Sequence, residues 1–256
     1  MSGRALVTGA SSGIGEAFVR RLAEQGQDVV LVARREDRLR ALATELSGHG
    51  VEVEVLAADL TTEEGVVSVE QRLTAPTKPV DLLVNNAGFG SSGAFTDLAL
   101  GRELEMIELN VVAVVRLTRA ALDTMSDRGA GSIVNVSSMA SFQALPRNAT
   151  YAATKAFVTS FTEALAEEVR GSGVRLQALC PGFTETEFHT TAAWSSGWLP
   201  SSAWQSPEQV VDASLAALGS GRVVVVPGML NKVAARASWL LPRKVVSRLV
   251  NAGARR

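Results

Sequence analysis

A chain of 256 residues, 46% of them hydrophobic, can bury a large core as one α/β domain or two smaller ones. Its 25 basic and 26 acidic residues leave a net charge of -1, which excludes the global attraction to nucleic acid of a strongly basic domain. One cysteine, Cys180, allows no intrachain disulfide and suits a reducing cytosol, no stretch approaches the roughly 18 apolar residues of a membrane span, and an apolar strand begins too early for a signal peptide.

Ala5-Leu-Val7 reads as a short core strand, followed by Thr8-Gly-Ala-Ser-Ser-Gly-Ile-Gly15 and then by Phe18, Val19, Leu22 and Ala23 at helical spacing. Strand, glycine turn and helix suit a phosphate cradle, since glycines let the backbone approach a pyrophosphate and the helix start offers N–H groups and a positive dipole end, unless the glycines only shape a turn and Ser11 or Ser12 only caps the helix. The spacing Gly-x-x-x-Gly-x-Gly departs from the commoner Gly-x-Gly-x-x-Gly fingerprint. Asp28 to Val32 is the second strand, and Ala33-Arg34-Arg35 ends it where an acidic residue would select NAD(H). Two arginines favour the 2′-phosphate of NADP(H), unless both belong only to the solvated start of the helix carrying Leu39, Leu42 and Leu46.

Val51 to Leu56 alternates as a half-exposed edge strand. Asp59 after it either bonds an adenine amino group or opens the next helix. Val80 to Val84 is the fourth strand, closed by Asn85-Asn-Ala-Gly88. A long helical stretch from Leu98 to Met125 holds Asn110 among Leu109, Val111, Val112 and Val114, a costly position unless the amide is hydrogen-bonded. The fifth strand ends in Ser137 and Ser138. An amphipathic helix runs from Tyr151 to about Arg170, with Lys155 one turn beyond Tyr151, where its ammonium can approach the phenol and favour phenolate. Val174 to Cys180 and Val223 to Val226 are the last strands, the former broken by Pro181-Gly-Phe-Thr184. Strands alternating with helices specify an open parallel sheet covered on both faces.

With these motifs in order, the chain resembles the short-chain dehydrogenase/reductase family from Arg4 to Pro227. The resemblance implies a Rossmann-type, doubly wound α/β/α fold with a parallel sheet of about seven strands, in one catalytic domain over 1–228. It further implies hydride transfer between NADP(H), in preference to NAD(H), and a carbonyl or secondary alcohol, with no metal. Tyr151 would be the proton donor, Ser138 would position the carbonyl oxygen, Lys155 would bind the nicotinamide ribose and lower the Tyr151 pKa, and Asn110 would anchor a water. Cofactor contacts would come from Gly9, Ser11, Ser12, Gly13, Ile14, Gly15, Arg34, Arg35, Asp59, Leu60, Asn86, Ala87 and Gly88, from Tyr151 and Lys155, and from Pro181, Gly182, Phe183, Thr184 and Thr186. Homodimers or homotetramers in the cytoplasm are the family's implication for partners and place. A regulatory or scaffold protein that binds the cofactor without turnover, and an epimerase acting through a transient ketone, are the alternatives.

A segment over 185–205 would cover the substrate. Its Phe188, Trp194, Trp198, Leu199 and Trp204 suit a bulky hydrophobic ketone or aldehyde, or equally pack the segment on the body. The extension over 229–256 is basic and amphipathic, with Lys232, Arg236, Arg243, Lys244 and Arg248 among apolar residues. Subunit packing or a solvated face is favoured there over peripheral membrane contact.

Overall fold

The structure, a computed structural model, describes residues 3–188 and 204–240. Trp194, Trp198 and Leu199 of the expected cover, and the tail from residue 241, lie outside the described residues.

Among the described residues seven strands form one parallel sheet: β1 (Arg4–Thr8), β2 (Asp28–Ala33), β3 (Val53–Ala57), β4 (Leu82–Asn85), β5 (Gly131–Val136), β6 (Val174–Leu179) and β7 (Val224–Val225), in the order β3-β2-β1-β4-β5-β6-β7. Central strands read as continuous apolar runs because both faces are covered. In β1, Ala5 and Val7 point into one core and Leu6 into the other, as the two-residue repeat of a strand demands. The first core takes Phe18, Val19 and Leu22 of α1 (Gly13–Glu24), Leu39, Leu42 and Leu46 of α2 (Glu36–Leu46), and Val210 and Val211 of the helix Pro207–Leu218. The second takes Val66, Val69 and Leu73 of α3 (Glu63–Leu73) and Leu117, Ala121 and Met125 of a helix over Ala113–Arg128. Thr62 caps α3 by accepting the Gly65 N–H at 3.1 Å.

The long helical stretch of the sequence is not one helix. It is α4 (Leu100–Ile107), a π-helical turn over Glu108–Val112, and α5 (Ala113–Arg128), with Asn110 at the centre of the π turn. The apolar pattern runs on through the turn, so periodicity alone could not reveal it. Beyond β5 come α6 (Ala149–Glu168), α7 (Pro207–Leu218) and α8 (Met229–Leu240). Among the described residues no helix is long and apolar enough to cross a membrane.

The chain reverses its direction of growth between β1 and β4, which opens a crevice at their carboxyl ends. Thr8 stitches that point. Its hydroxyl accepts the N–H groups of Asn86 and Ala87, both at 3.0 Å, while the Asn86 side-chain amide donates to the Thr8 carbonyl at 2.9 Å.

Candidate active site

A cavity of about 800 Å³ runs along the carboxyl ends of the strands. Gly9, Ser11, Ser12, Gly13 and Ile14 form one stretch of its wall, Arg34 and Arg35 another, and Asp59 with Leu60 a third. Asn86 to Gly88, Ser138, Tyr151, Lys155, Pro181 to Thr184 and Thr186 complete the predicted set that it brings together. Two predicted residues stand behind the wall. Gly15 lies against the β1 loop so closely that a Cβ would overlap the Gly9 carbonyl. Asn110 is wholly buried; its Oδ1 accepts the Phe89 N–H at 3.2 Å, and its Nδ2 donates to the Phe89 carbonyl at 3.0 Å and to Thr154 Oγ1 at 3.2 Å.

The glycine turn fits a dinucleotide. Gly9 has a φ of +67°, in the region that side chains disfavour, and a Cβ there would meet the Asn86 amide at 2.7 Å. Ser12 at the start of α1 is extended and makes no capping bond, so its hydroxyl leaves the first N–H groups of that helix to a ligand. Two arginines follow from β2. Arg35 donates through Nε and NH2 to the Ser11 hydroxyl at 3.2 and 3.0 Å and through NH2 to the Ser12 hydroxyl at 2.9 Å. Arg34 is exposed and lies 3.8 Å from Asp59 Oδ2. Burial raises the Asp59 carboxyl, but the Thr61 N–H and hydroxyl together with Arg34 outweigh it and hold it below its ordinary value. Asp59 Oδ1 accepts both Thr61 groups, so this side chain shapes the turn into α3 while its other oxygen faces the cavity arginine.

At the other end, Tyr151 and Lys155 share the buried face of α6. The spacing alone suggests that the ammonium turns to the phenol. Instead Lys155 Nζ donates to the Val136 carbonyl at 2.8 Å and lies 5.9 Å from the tyrosine ring centroid, because the end of β5 presents it with an acceptor. Burial therefore dominates both groups. The Tyr151 phenol is pushed up to about 12, opposed by a hydrogen bond with the Ser138 hydroxyl, and Lys155 is drawn down to about 8. Gly88 sits between polar neighbours: a Cβ on it would lie 2.9 Å from Asn110 Oδ1 and 3.5 Å from Lys155 Nζ. Ser137, the companion of Ser138, donates to the Lys155 carbonyl at 2.8 Å and lies 2.7 Å from the Thr159 hydroxyl, fixing α6 to β5.

Several lining residues have no local signal in the sequence. Phe89, Leu109, Met139 and Leu145 are of this kind, and with the expected Phe183 and Phe188 they make much of the cavity wall apolar, the Phe188 ring lying 5.5 Å from the Tyr151 ring. Asn231 of α8 reaches the same wall, where it leaves no room for a side chain at Gly182 and donates to the Gln205 side chain at 2.9 Å. Phe89 and Leu109 adjoin the Asn-Ala-Gly and Asn110 motifs and could have been found by that adjacency. Asn231 could not.

A family model described as short chain dehydrogenase matches residues 4–195. Sulfoacetaldehyde reductase 2 of Chromohalobacter salexigens is 42% identical over 190 residues, 73% of this chain and 75% of that protein. A short-chain dehydrogenase from Sphingobium yanoikuyae, solved in complex with NADPH, superimposes with a TM-score of 0.85 at 38% identity, covering 93% of this chain and 92% of the other. The bulky-bulky ketone specific alcohol dehydrogenase from Comamonas testosteroni gives 0.79 at 33% identity over 93% of both chains.

Proposed function

The chain belongs to the short-chain dehydrogenase family and is an oxidoreductase of carbonyl and alcohol groups, and from that premise we propose that it reduces bulky hydrophobic ketones or aldehydes with NADPH. The observation that carries this reading is one cavity lined by the glycine turn, the arginine pair and the set Ser138, Tyr151 and Lys155.

Gly9, Ser11, Ser12, Gly13 and Ile14 would hold the pyrophosphate, Asp59 and Leu60 the adenine side, and Arg34 and Arg35 the 2′-phosphate, in preference to NAD(H). Relatives solved with the phosphorylated cofactor support this choice. In that cradle the cofactor would supply the hydride that the carbonyl carbon needs. Tyr151 then gives its proton to the carbonyl oxygen, and the Ser138 hydroxyl holds that oxygen in place. A phenol near 12 carries its proton at neutral pH, the form that reduction needs. Lys155, still largely protonated below pH 8, would keep a positive charge 5.9 Å from the tyrosine ring centroid as the phenolate forms. Asn110 would act from behind, by fixing the Phe89 loop against α6.

For the substrate, the apolar wall of Phe89, Leu109, Met139, Leu145, Phe183 and Phe188 favours contact area over polar recognition. A cytosolic homo-oligomer is part of the same reading, supported by the buried Cys180 thiol and by exposed Leu100, Leu104 and Phe157 on α4 and α6. The test is a panel running from aryl and steroid ketones to short polar aldehydes, sulfoacetaldehyde included, read by NADPH absorbance with NADH in parallel. Bulky apolar carbonyls with NADPH should give the highest kcat/KM. A panel led by small polar aldehydes overturns the substrate class, and one led by NADH overturns the cofactor.

A further inference from the structure

Arg35 already faces an anion supplied by the chain itself. Glu187 Oε2 lies 3.0 Å from Arg35 NH1, and its other oxygen, Oε1, lies 2.8 Å from Arg38 NH1. One carboxylate thus spans two guanidiniums, one oxygen on each, as a phosphate would. Both arginines hold that carboxyl below its ordinary range, Arg38 more than Arg35. The Ser11 and Ser12 hydroxyls that take the remaining nitrogens of Arg35 are neutral, so among the described residues Glu187 is the ion-pair partner of Arg35. Glu187 and Arg35 line the same cavity, and the next residue, Phe188, packs on Tyr151 at the reacting end.

Resting on the NADP(H) reading above, we propose that Glu187, held in place by Arg38, competes with the 2′-phosphate of the cofactor for Arg35, and so sets the margin by which the phosphorylated dinucleotide is preferred. A 2′-phosphate arriving at Arg35 must either displace the carboxylate or share the guanidiniums with it, and two anions at one site repel. A dinucleotide with a bare 2′-hydroxyl brings no charge to that spot and leaves both ion pairs standing. Glu187 therefore opposes NADPH selectively and makes the preference smaller than the arginines alone would give. Its release would be felt first at Phe188, one residue on, which links the phosphate end of the cavity to the acid end.

The test is calorimetric titration of the full chain and of its Glu187→Gln variant with NADPH, NADH, adenosine 2′,5′-bisphosphate and adenosine 5′-monophosphate. Glu187 is more than half exposed, so the variant should fold as the parent does. Two exposed ion pairs are each worth a few-fold at most, so removing their competition should tighten NADPH and the bisphosphate by about threefold to tenfold. NADH, which carries the pyrophosphate but no 2′-phosphate, should stay within about twofold, as should the monophosphate. Unchanged or weaker NADPH binding overturns the proposal. Equal tightening of NADH overturns it too, because Glu187 would then act on the general field of the crevice. If the parent protein binds the bisphosphate no better than the monophosphate, the NADP(H) reading itself has failed, and that result is distinct from the other two.

Discussion

Asn110→Leu removes an amide while keeping the side-chain volume nearly constant, so little new cavity forms and the polar loss is isolated. In the parent chain the side chain has no exposed surface, and both its polar atoms serve the main chain of Phe89, at 3.2 Å to the N–H and 3.0 Å to the carbonyl. Thr154 keeps a partner after the change, since its hydroxyl also donates to the Tyr151 carbonyl at 2.8 Å. Two buried main-chain groups are therefore orphaned, at about 1–3 kcal/mol each, or roughly 2–6 kcal/mol together. In a chain of this length 1 kcal/mol corresponds to about 2–4 °C, so the melting temperature should fall by roughly 5–20 °C. Calorimetry with circular dichroism in parallel reads that shift, and turnover should fall with it because Gly88 and Phe89 border the site. A loss below about 2 °C with normal turnover would refute the argument that Asn110 braces this loop.

Tyr151→Phe keeps the ring that packs on Phe188 and deletes only the proton donor; kcat should fall by about 10²–10⁴ with NADPH affinity within about twofold by fluorescence titration. Near-parental turnover would remove Tyr151 from the chemistry. Lys155→Met should reveal a pH signature. The folded-state value of Lys155, about 8, lies below the ordinary lysine value of 10.5, so between these limits the unfolded chain binds a proton that the folded chain does not. Stability from this group therefore rises with pH across that window, and the urea midpoint of the parent should gain on that of the variant from pH 8 to pH 10. The upward shifts of Tyr151 and Cys180 act in the opposite direction but are carried by both proteins. A parent that loses ground over the window would mean that Lys155 is not held in a desolvated site.

What could be read from the chain was what lies close together along it. The glycine turn, the apolar β1 and the Tyr151–Lys155 pair are defined within a few residues, and the structure puts them at the positions that strand and helix periods imply. The costly burial of Asn110 was also visible, but its partner lies 21 residues earlier and in a loop. Spacing said that Lys155 could reach Tyr151. It could not say that the Val136 carbonyl, from a different element, would take the ammonium. Glu187 was harder still: it meets Arg35 and Arg38 across 152 and 149 residues, and a single glutamate carries no pattern.

The π turn over Glu108–Val112 makes the length of this segment a structural parameter. Such a turn carries one residue more than the α-helical turn it replaces, and one residue corresponds to about 100° around a helix axis. Deleting a single residue there would heal the helix and at the same time rotate α4 by about that angle relative to α5. Buried Glu103 and Met106 would swing away from the Phe89 side, while Leu117 and Ala121 kept their places in the core. Conservative replacements at Leu109 or Val111 leave that phase untouched, so the segment should accept changes of residue far more readily than a change of one in its count.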